Sequence, residues 1–238
     1  MRKMQSAIRR LTVLGVLLSA ALCSSAMAQE VRYSWMDIAF MAQDVGLTGT
    51  QTPIQGQTVD VDAGNGDGVR FRASFGTWHN LYTFIDYSST DIDVGVVVTN
   101  AQGVFAAEDE FDYTAIRGGI GLRFPLRFDT DVYGEVTFDS LDFDFGSFAG
   151  ENFDMGKQDV GAAIGVRSMF GDNLQLRLYG RYSAVGKADL STQKFDNDTL
   201  VGAGFGFTLI RGLSIVGDFE TGEFSSWSIG FRLDLDED

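Results

Sequence analysis

Apolar and polar residues alternate with a period of two along most of the chain beyond residue 29. Val69, Phe71, Ala73 and Phe75 interleave with Arg70, Arg72, Ser74 and Gly76, which places one set on one face of an extended strand and the other set on the opposite face. The same parity separates Thr114, Ile116, Gly118, Ile120 and Leu122 from Tyr113, Ala115, Arg117, Gly119 and Gly121. It recurs in Val132 to Phe138, Val160 to Val166, Leu174 to Tyr182, Val201 to Phe207, Leu213 to Phe219 and Trp227 to Leu233. The pattern predicts ten strands, at about 31–41, 68–76, 81–90, 110–123, 130–143, 157–169, 174–185, 198–208, 213–221 and 225–235. Eight is the alternative count.

The connections alternate in length. Tight turns are expected at Trp78-His79-Asn80, Phe124-Pro125-Leu126-Arg127, Gly171-Asp172-Asn173 and Arg211-Gly212, and long polar loops at 42–67, 91–109, 144–156 and 186–197. A tight hairpin near Thr221-Gly222-Glu223 is the exception on the long-loop side. Short turns at one end, longer loops at the other and an even strand number predict an all-β, transmembrane, antiparallel up-and-down β-barrel.

Residues 1–28 predict a cleaved export signal. Arg2, Lys3, Arg9 and Arg10 precede an apolar run from Leu11 to Leu22, and Ala26-Met27-Ala28 supplies a small-x-small cleavage site. Cys23 lacks the small residue before it that a lipid-anchored cysteine needs, and it leaves with the signal. The domain organisation expected is therefore a signal at 1–28 and one barrel over 29–238.

Composition narrows the function classes. The full chain of 238 residues carries a formal charge of −15. Removing residues 1–28 leaves 14 basic against 33 acidic residues, or −19. Such a chain repels phosphate, so nucleic-acid binding by counterion release is excluded. One Cys and one His leave no internal disulfide, thiolate cage or multi-His metal site, and no cofactor is expected.

Alternation alone does not say whether the apolar face meets lipid or fills a soluble barrel. Small residues on the polar face (Gly161, Ala163, Gly165, Gly202, Gly204, Gly206), the scarcity of Lys, and aromatics near strand ends favour lipid. Those aromatics are Trp35, Trp78, Tyr87, Phe124, Phe128, Phe170 and Trp227. The polar face then lines a lumen. Aligning strands by depth puts Asp37, Arg72, Asp86, Arg117 and Glu135 near mid-height on five consecutive strands with alternating signs. Arg70, Arg177, Arg181, Asp218, Glu220 and Arg232 face the same way. Opposite charges in a narrow, partly dry lumen should pair, and Tyr33, Trp35, Tyr82, Phe84, Tyr133 and Tyr179 also point in. The arrangement predicts a plug of ion pairs, with a polar pathway for small solutes as the alternative.

One acidic stretch invites a metal reading. Asp60, Asp62, Asn65 and Asp67, interspersed with Gly64, Gly66 and Gly68, resemble part of a calcium loop. Position 12 counted from Asp60 is Phe71 instead of the Glu such a loop requires, so a Gly-rich acidic loop feeding the second strand is the plainer expectation and no metal is assigned.

The opening Tyr33-Ser34-Trp35-Met36-Asp37, the period-two hairpins and the ending Ser226 to Leu235 together resemble the small bacterial outer-membrane β-barrels grouped with OmpA-like and OmpX-like proteins, often described as porin-family. The ending is similar to the signal read by the barrel-assembly machinery, carried here by Ser228, Gly230, Leu233 and Leu235. It departs in having Leu for the terminal aromatic and in the trailing Asp236-Glu237-Asp238. The resemblance implies an outer-membrane location in a Gram-negative bacterium, with lipid, lipopolysaccharide and the assembly machinery as partners and a monomeric state.

It implies little about activity. Surface proteases and lipid A-modifying enzymes of this architecture imply a catalytic His at the outer rim, whereas the one histidine, His79, falls in a tight turn at the other end, so no enzyme is expected. A structural or surface-interaction barrel fits every feature. A porin-like channel and an adhesin acting through its acidic loops are the alternatives.

Overall fold

The computed structural model describes residues 33–51, 58–78, 80–127, 130–148, 151–170, 173–189 and 194–235. The expected export signal, His79 and Phe128 lie outside them. Ten strands run β1 (Trp35–Gln51), β2 (Thr58–Trp78), β3 (Leu81–Asn100), β4 (Gly103–Arg127), β5 (Thr130–Phe148), β6 (Glu151–Phe170), β7 (Leu174–Asp189), β8 (Lys194–Ile210), β9 (Leu213–Thr221) and β10 (Ser225–Asp234). Each pairs antiparallel with its sequence neighbours, and β10 pairs with β1 to close a barrel.

The wall is inside-out relative to a water-soluble barrel. Ile120, Val136, Ile164, Leu178, Val201 and Phe231 stand exposed on the outer face, while Asp37, Arg70, Arg72 and Asp218 are buried within. A continuous apolar outer surface of this kind is stable in lipid and would aggregate in water. Trp78 (74% exposed), Phe124 and Phe170 cluster at the short-turn end. Trp35, counted both among the strand-end aromatics and among the inward rings, follows the second expectation: its ring lies inside, with the Arg232 guanidinium carbon 3.9 Å from its centroid. Tyr87 is buried instead of exposed.

The small lumen-facing residues have a steric cause. A Cβ built on Gly121 would lie 2.1 Å from the Tyr82 ring, and those on Gly165 and Gly202 would meet the rings of Tyr133 and Tyr179 at 2.5 and 2.2 Å. Each inward tyrosine of β3, β5 and β7 packs against a glycine of the following strand, so its ring lies close to the wall without prising it apart.

The long loops expected at 42–67, 91–109, 144–156 and 186–197 are for the most part strand. The β3–β4 ladder continues to Asn100↔Gly103 and the β1–β2 ladder to Gln51↔Val59. Acidic, glycine-rich segments adopt strand geometry here because a paired neighbour satisfies the backbone whatever the side chains are. At the β3–β4 tip the Asn100 side-chain oxygen accepts the N–H groups of Gln102 (2.9 Å) and Gly103 (3.1 Å), and Gly103 takes φ +145°, a conformation that favours glycine.

In these extensions the phase of the alternation inverts. On β4, Ile116, Ile120 and Leu122 face outward and Arg117 inward. Higher up, Glu110 is on the outer face and Phe111 and Tyr113 are buried inside. On β5, Val136 and Phe138 are outward with Asp139 inward, then Asp142 and Asp144 are outward with Leu141 and Phe143 inward. Apolar-out gives way to apolar-in where the wall leaves lipid for water.

Candidate functional site: the lumen charge network

The inward arginines and carboxylates form a network that spans the lumen as well as following neighbouring strands. Asp37 on β1, 2% exposed, accepts hydrogen bonds from Arg72 Nε (3.0 Å) and Arg232 Nη2 (3.1 Å) on the two strands flanking it. Asp86 takes a two-pronged guanidinium contact from Arg70 and a further bond from Arg117 Nη2 at 2.9 Å. Asp218 on β9 is the hub. Arg177 and Arg70 Nη1 (3.2 Å) donate to it from opposite sides, the Tyr179 hydroxyl donates at 2.7 Å, and Arg72 Nη1 stands 3.6 Å away. Glu220 accepts two bonds from Arg181 (3.0 and 3.1 Å), with Arg117 at 3.9 Å.

The expected set is thus brought together with one correction. Glu135 does not stand opposite Arg117: the β4–β5 register sets Glu135 against Gly121 and gives Asp139 the place beside Arg117. Glu135 instead accepts the Tyr82 hydroxyl at 2.8 Å. Asp139, unnoticed in the sequence, accepts from Ser183 Oγ at 2.6 Å and lies 3.8 Å from Arg181. Glu135 and Asp139 share a face and a composition, and only the exact strand register decides which of them meets Arg117.

A second missed cluster lies toward the short-turn end. Tyr33 stacks on Tyr82 (4.8 Å between centroids), has the guanidinium carbons of Arg123 and Arg167 at 4.9 and 4.1 Å from its ring centroid, and donates its hydroxyl to Asp131 at 2.8 Å. Arg167 also donates to Asp131, at 2.7 Å.

The opposite end is capped by apolar side chains on the same inward faces. Ile92, Phe111, Tyr113, Leu141, Phe143, Val185 and Phe224 form one buried cluster, with Phe143 centroids 5.0 Å from Tyr113 and 6.4 Å from Phe224. The phase inversion was the available signal for this cap. Between cap and floor lie small cavities, one of about 80 Å³ bordered by Arg70, Asp86, Arg117 and Glu220 and two of about 40 Å³ nearer Tyr33 and Tyr82. Each has room for a few water molecules.

The remaining candidate residues fall elsewhere. Asp60, Asp62, Asn65 and Asp67 run along β2 instead of forming a loop. In an extended strand, carboxylates two residues apart are about 7 Å apart and do not wrap an ion. Of the assembly-signal residues, Ser228 is buried in the lumen, Leu233 is exposed on the outer face, and Leu235 N–H bonds to Ser34 O at 2.8 Å. Gly230 sits at the β1–β10 seam, where a Cβ would come within 2.0 Å of Ile38 O.

The chain matches the family model described as outer membrane protein beta-barrel domain over residues 14–208. No curated protein matches it. Among solved structures it is similar to the outer membrane protease OmpT from Escherichia coli, with a TM-score of 0.51, 7% identity, and coverage of 88% of this chain and 99% of that one. It is also similar to the translocator domain of the autotransporter NalP from Neisseria meningitidis (TM-score 0.43, 15% identity, 96% and 97% covered). A third likeness is to the outer membrane protein OprG from Pseudomonas aeruginosa (TM-score 0.42, 11% identity, 84% and 93% covered). At these identities the likeness is one of fold.

Proposed function

The chain belongs to the outer membrane protein beta-barrel domain family, a barrel of the Gram-negative outer membrane, and from that premise we propose that it acts at the cell surface with a closed lumen, as a structural or interaction barrel and not as a conduit. One observation carries the reading: the charged side chains at mid-lumen are buried, with Asp218 and Asp37 side chains at 1% and 0% exposure. Charges lining a water-filled path would be bathed by it. Here they are spent on one another, between an apolar cap and a tyrosine floor.

No catalytic role is part of this proposal. Assembly through Ser228, Gly230, Leu233 and Leu235, a monomeric state, and lipid with lipopolysaccharide as surroundings belong to the same reading. Purified barrel reconstituted in planar bilayers tests it. We expect no stable conductance steps. Large, long-lived ohmic steps from the wild type would overturn the closed-lumen reading in favour of a channel.

A further inference from the structure

One of the two cavities of about 40 Å³ lies inside the lumen toward the short-turn end. Arg72 and Ser74 of β2, Arg167 of β6, Arg177 of β7 and Arg232 of β10 border it, with Glu135 as the one carboxylate among its described lining residues. Three of those side chains keep hydrogen-bonding atoms in reserve. Arg232 donates Nη1 to Gln175 (3.2 Å) and Nη2 to Asp37 (3.1 Å), and Arg72 donates Nε to Asp37 (3.0 Å). Among the described residues, nothing lies within hydrogen-bond reach of Arg232 Nε, of Arg72 Nη1 or of the hydroxyl of Ser74, a residue 2% exposed. Arg72 itself is equally deep, at 4%. Buried polar atoms call for a partner. The carboxylates that answer the cavity's guanidinium groups are also shared: Asp37 serves both Arg72 and Arg232, Asp131 both Arg123 and Arg167, and Asp218 both Arg70 and Arg177. The wall is therefore short of negative charge as well as of acceptors.

We propose that this cavity is a binding site for one small monovalent anion, a halide or a short carboxylate such as formate, entering from the short-turn side. Arg72 Nη1, Arg232 Nε and the Ser74 hydroxyl donate to it, and the first two bonds are charge-assisted. Water answers the same donors but leaves the shared carboxylates outnumbered, and in a site of reduced dielectric an uncompensated guanidinium is costly. The cavity has room for a few water molecules, which suits an ion of that size and shuts out sugars and nucleotides. Glu135 on the wall opposes a more highly charged ion. Trp35, 3.9 Å from the Arg232 guanidinium carbon at its ring centroid, packs that group in place at the cavity wall. The Arg177 side chain keeps 24% exposure, so solvent reaches the site. The inference goes beyond the proposed surface role and does not rest on it.

Chloride is the solution probe, added to the folded barrel in neutral detergent micelles, with binding read from broadening of the chloride magnetic-resonance line. We expect saturable broadening in the millimolar range, as two or three such hydrogen bonds provide, reversed by formate and not by sulfate at equal ionic strength. Ser74→Ala removes one donor and should weaken binding about tenfold. Ser74→Asp places a tethered carboxylate in the cavity and should abolish it. Unheated gel migration confirms that both variants remain closed barrels. Crystals soaked in bromide locate the ion by anomalous scattering, and the expected peak lies against Arg72, Arg232 and Ser74. Absence of saturable broadening, equal reversal by sulfate, wild-type affinity in folded Ser74→Asp, or bromide found only outside this cavity would each overturn the proposal. Conductance is a separate measurement, so failure here and failure of the closed-lumen reading are distinguishable.

Discussion

Replacing Asp218 by Asn removes one charge from the centre of the network while preserving the side chain's shape. In the wild type this carboxylate serves Arg70, Arg72, Arg177 and the Tyr179 hydroxyl. After the change Arg70 keeps Asp86 and Arg72 keeps Asp37, but Arg177 is left facing the Tyr179 ring, 4.9 Å from its guanidinium carbon. Breaking a buried ion pair by neutralising one partner costs on the order of 3–5 kcal/mol. The Tyr179 hydroxyl can still donate to the amide oxygen, retaining about 0.5–1.5 kcal/mol. A destabilisation of about 3 kcal/mol is therefore expected, with less if water enters. Urea titration of the barrel in lipid vesicles, followed by tryptophan fluorescence, measures it. Adding Arg177→Gln to the same chain removes the stranded charge, so the double variant should be more stable than the two single losses summed, by about 0.5–3 kcal/mol. In planar bilayers Asp218→Asn alone should show small, anion-preferring conductance through a lumen that has gained net positive charge. Wild-type stability for Asp218→Asn, with no coupling to Arg177, would mean that the site is already wet and would refute the buried-network argument.

Four further outcomes follow from the packing. Gly121→Ala should cost about 1–3 kcal/mol by overpacking against the Tyr82 ring, and Tyr82→Ala in the same chain should relieve that strain; an unchanged urea midpoint for Gly121→Ala would contradict the contact. Phe143→Ala should cost about 3–5 kcal/mol and leave a cavity in the cap, and intact stability would show that the cap is loosely packed. Gly230→Ala should prevent β10 from approaching β1 and abolish the heat-dependent gel shift of a closed barrel, whereas deleting 236–238 should leave barrel levels in the membrane unchanged; normal levels of closed Gly230→Ala barrel would sink the seam argument. An epitope inserted between Ala101 and Gln102 should be detected on intact cells, and its protection from antibody there would reverse the assigned orientation.

Strand number, parity and the inward direction of the charges were legible because a period of two survives every substitution that keeps one face apolar. The heights of the strands were not. Asp67, Asp91, Asp112 and Asp144 stand in register across β2 to β5, like charges directly opposite one another, which a strand-propensity argument disfavours. Exposure to water and salt weakens that repulsion, and the ladder persists through a sequence that reads as loop. Register was equally hidden: Glu135 and Asp139 occupy equivalent faces of β5, and the tight β4–β5 connection alone decides which one meets Arg117. The cap was legible in principle from the phase change between Arg117 and Tyr113, which local alternation leaves unremarked because each half of β4 alternates correctly by itself.

That phase change makes the molecule its own depth gauge. Along β4 the outward apolar stretch from Ile116 to Phe124 measures about 27 Å along the strand, or about 20 Å along the membrane normal at a tilt near 40°, close to the apolar band of outer-membrane barrels. Sinking the barrel by one pleat would draw the outward carboxylates of Asp91, Asp112 and Asp144 toward hydrocarbon. Raising it would lift Phe124 and Phe170 out of their interface and bare the lower belt to water. Both displacements are resisted by several strands at once, so β3 to β6 themselves hold the vertical position. The hairpin tips thereby stand at a constant height above the lipid.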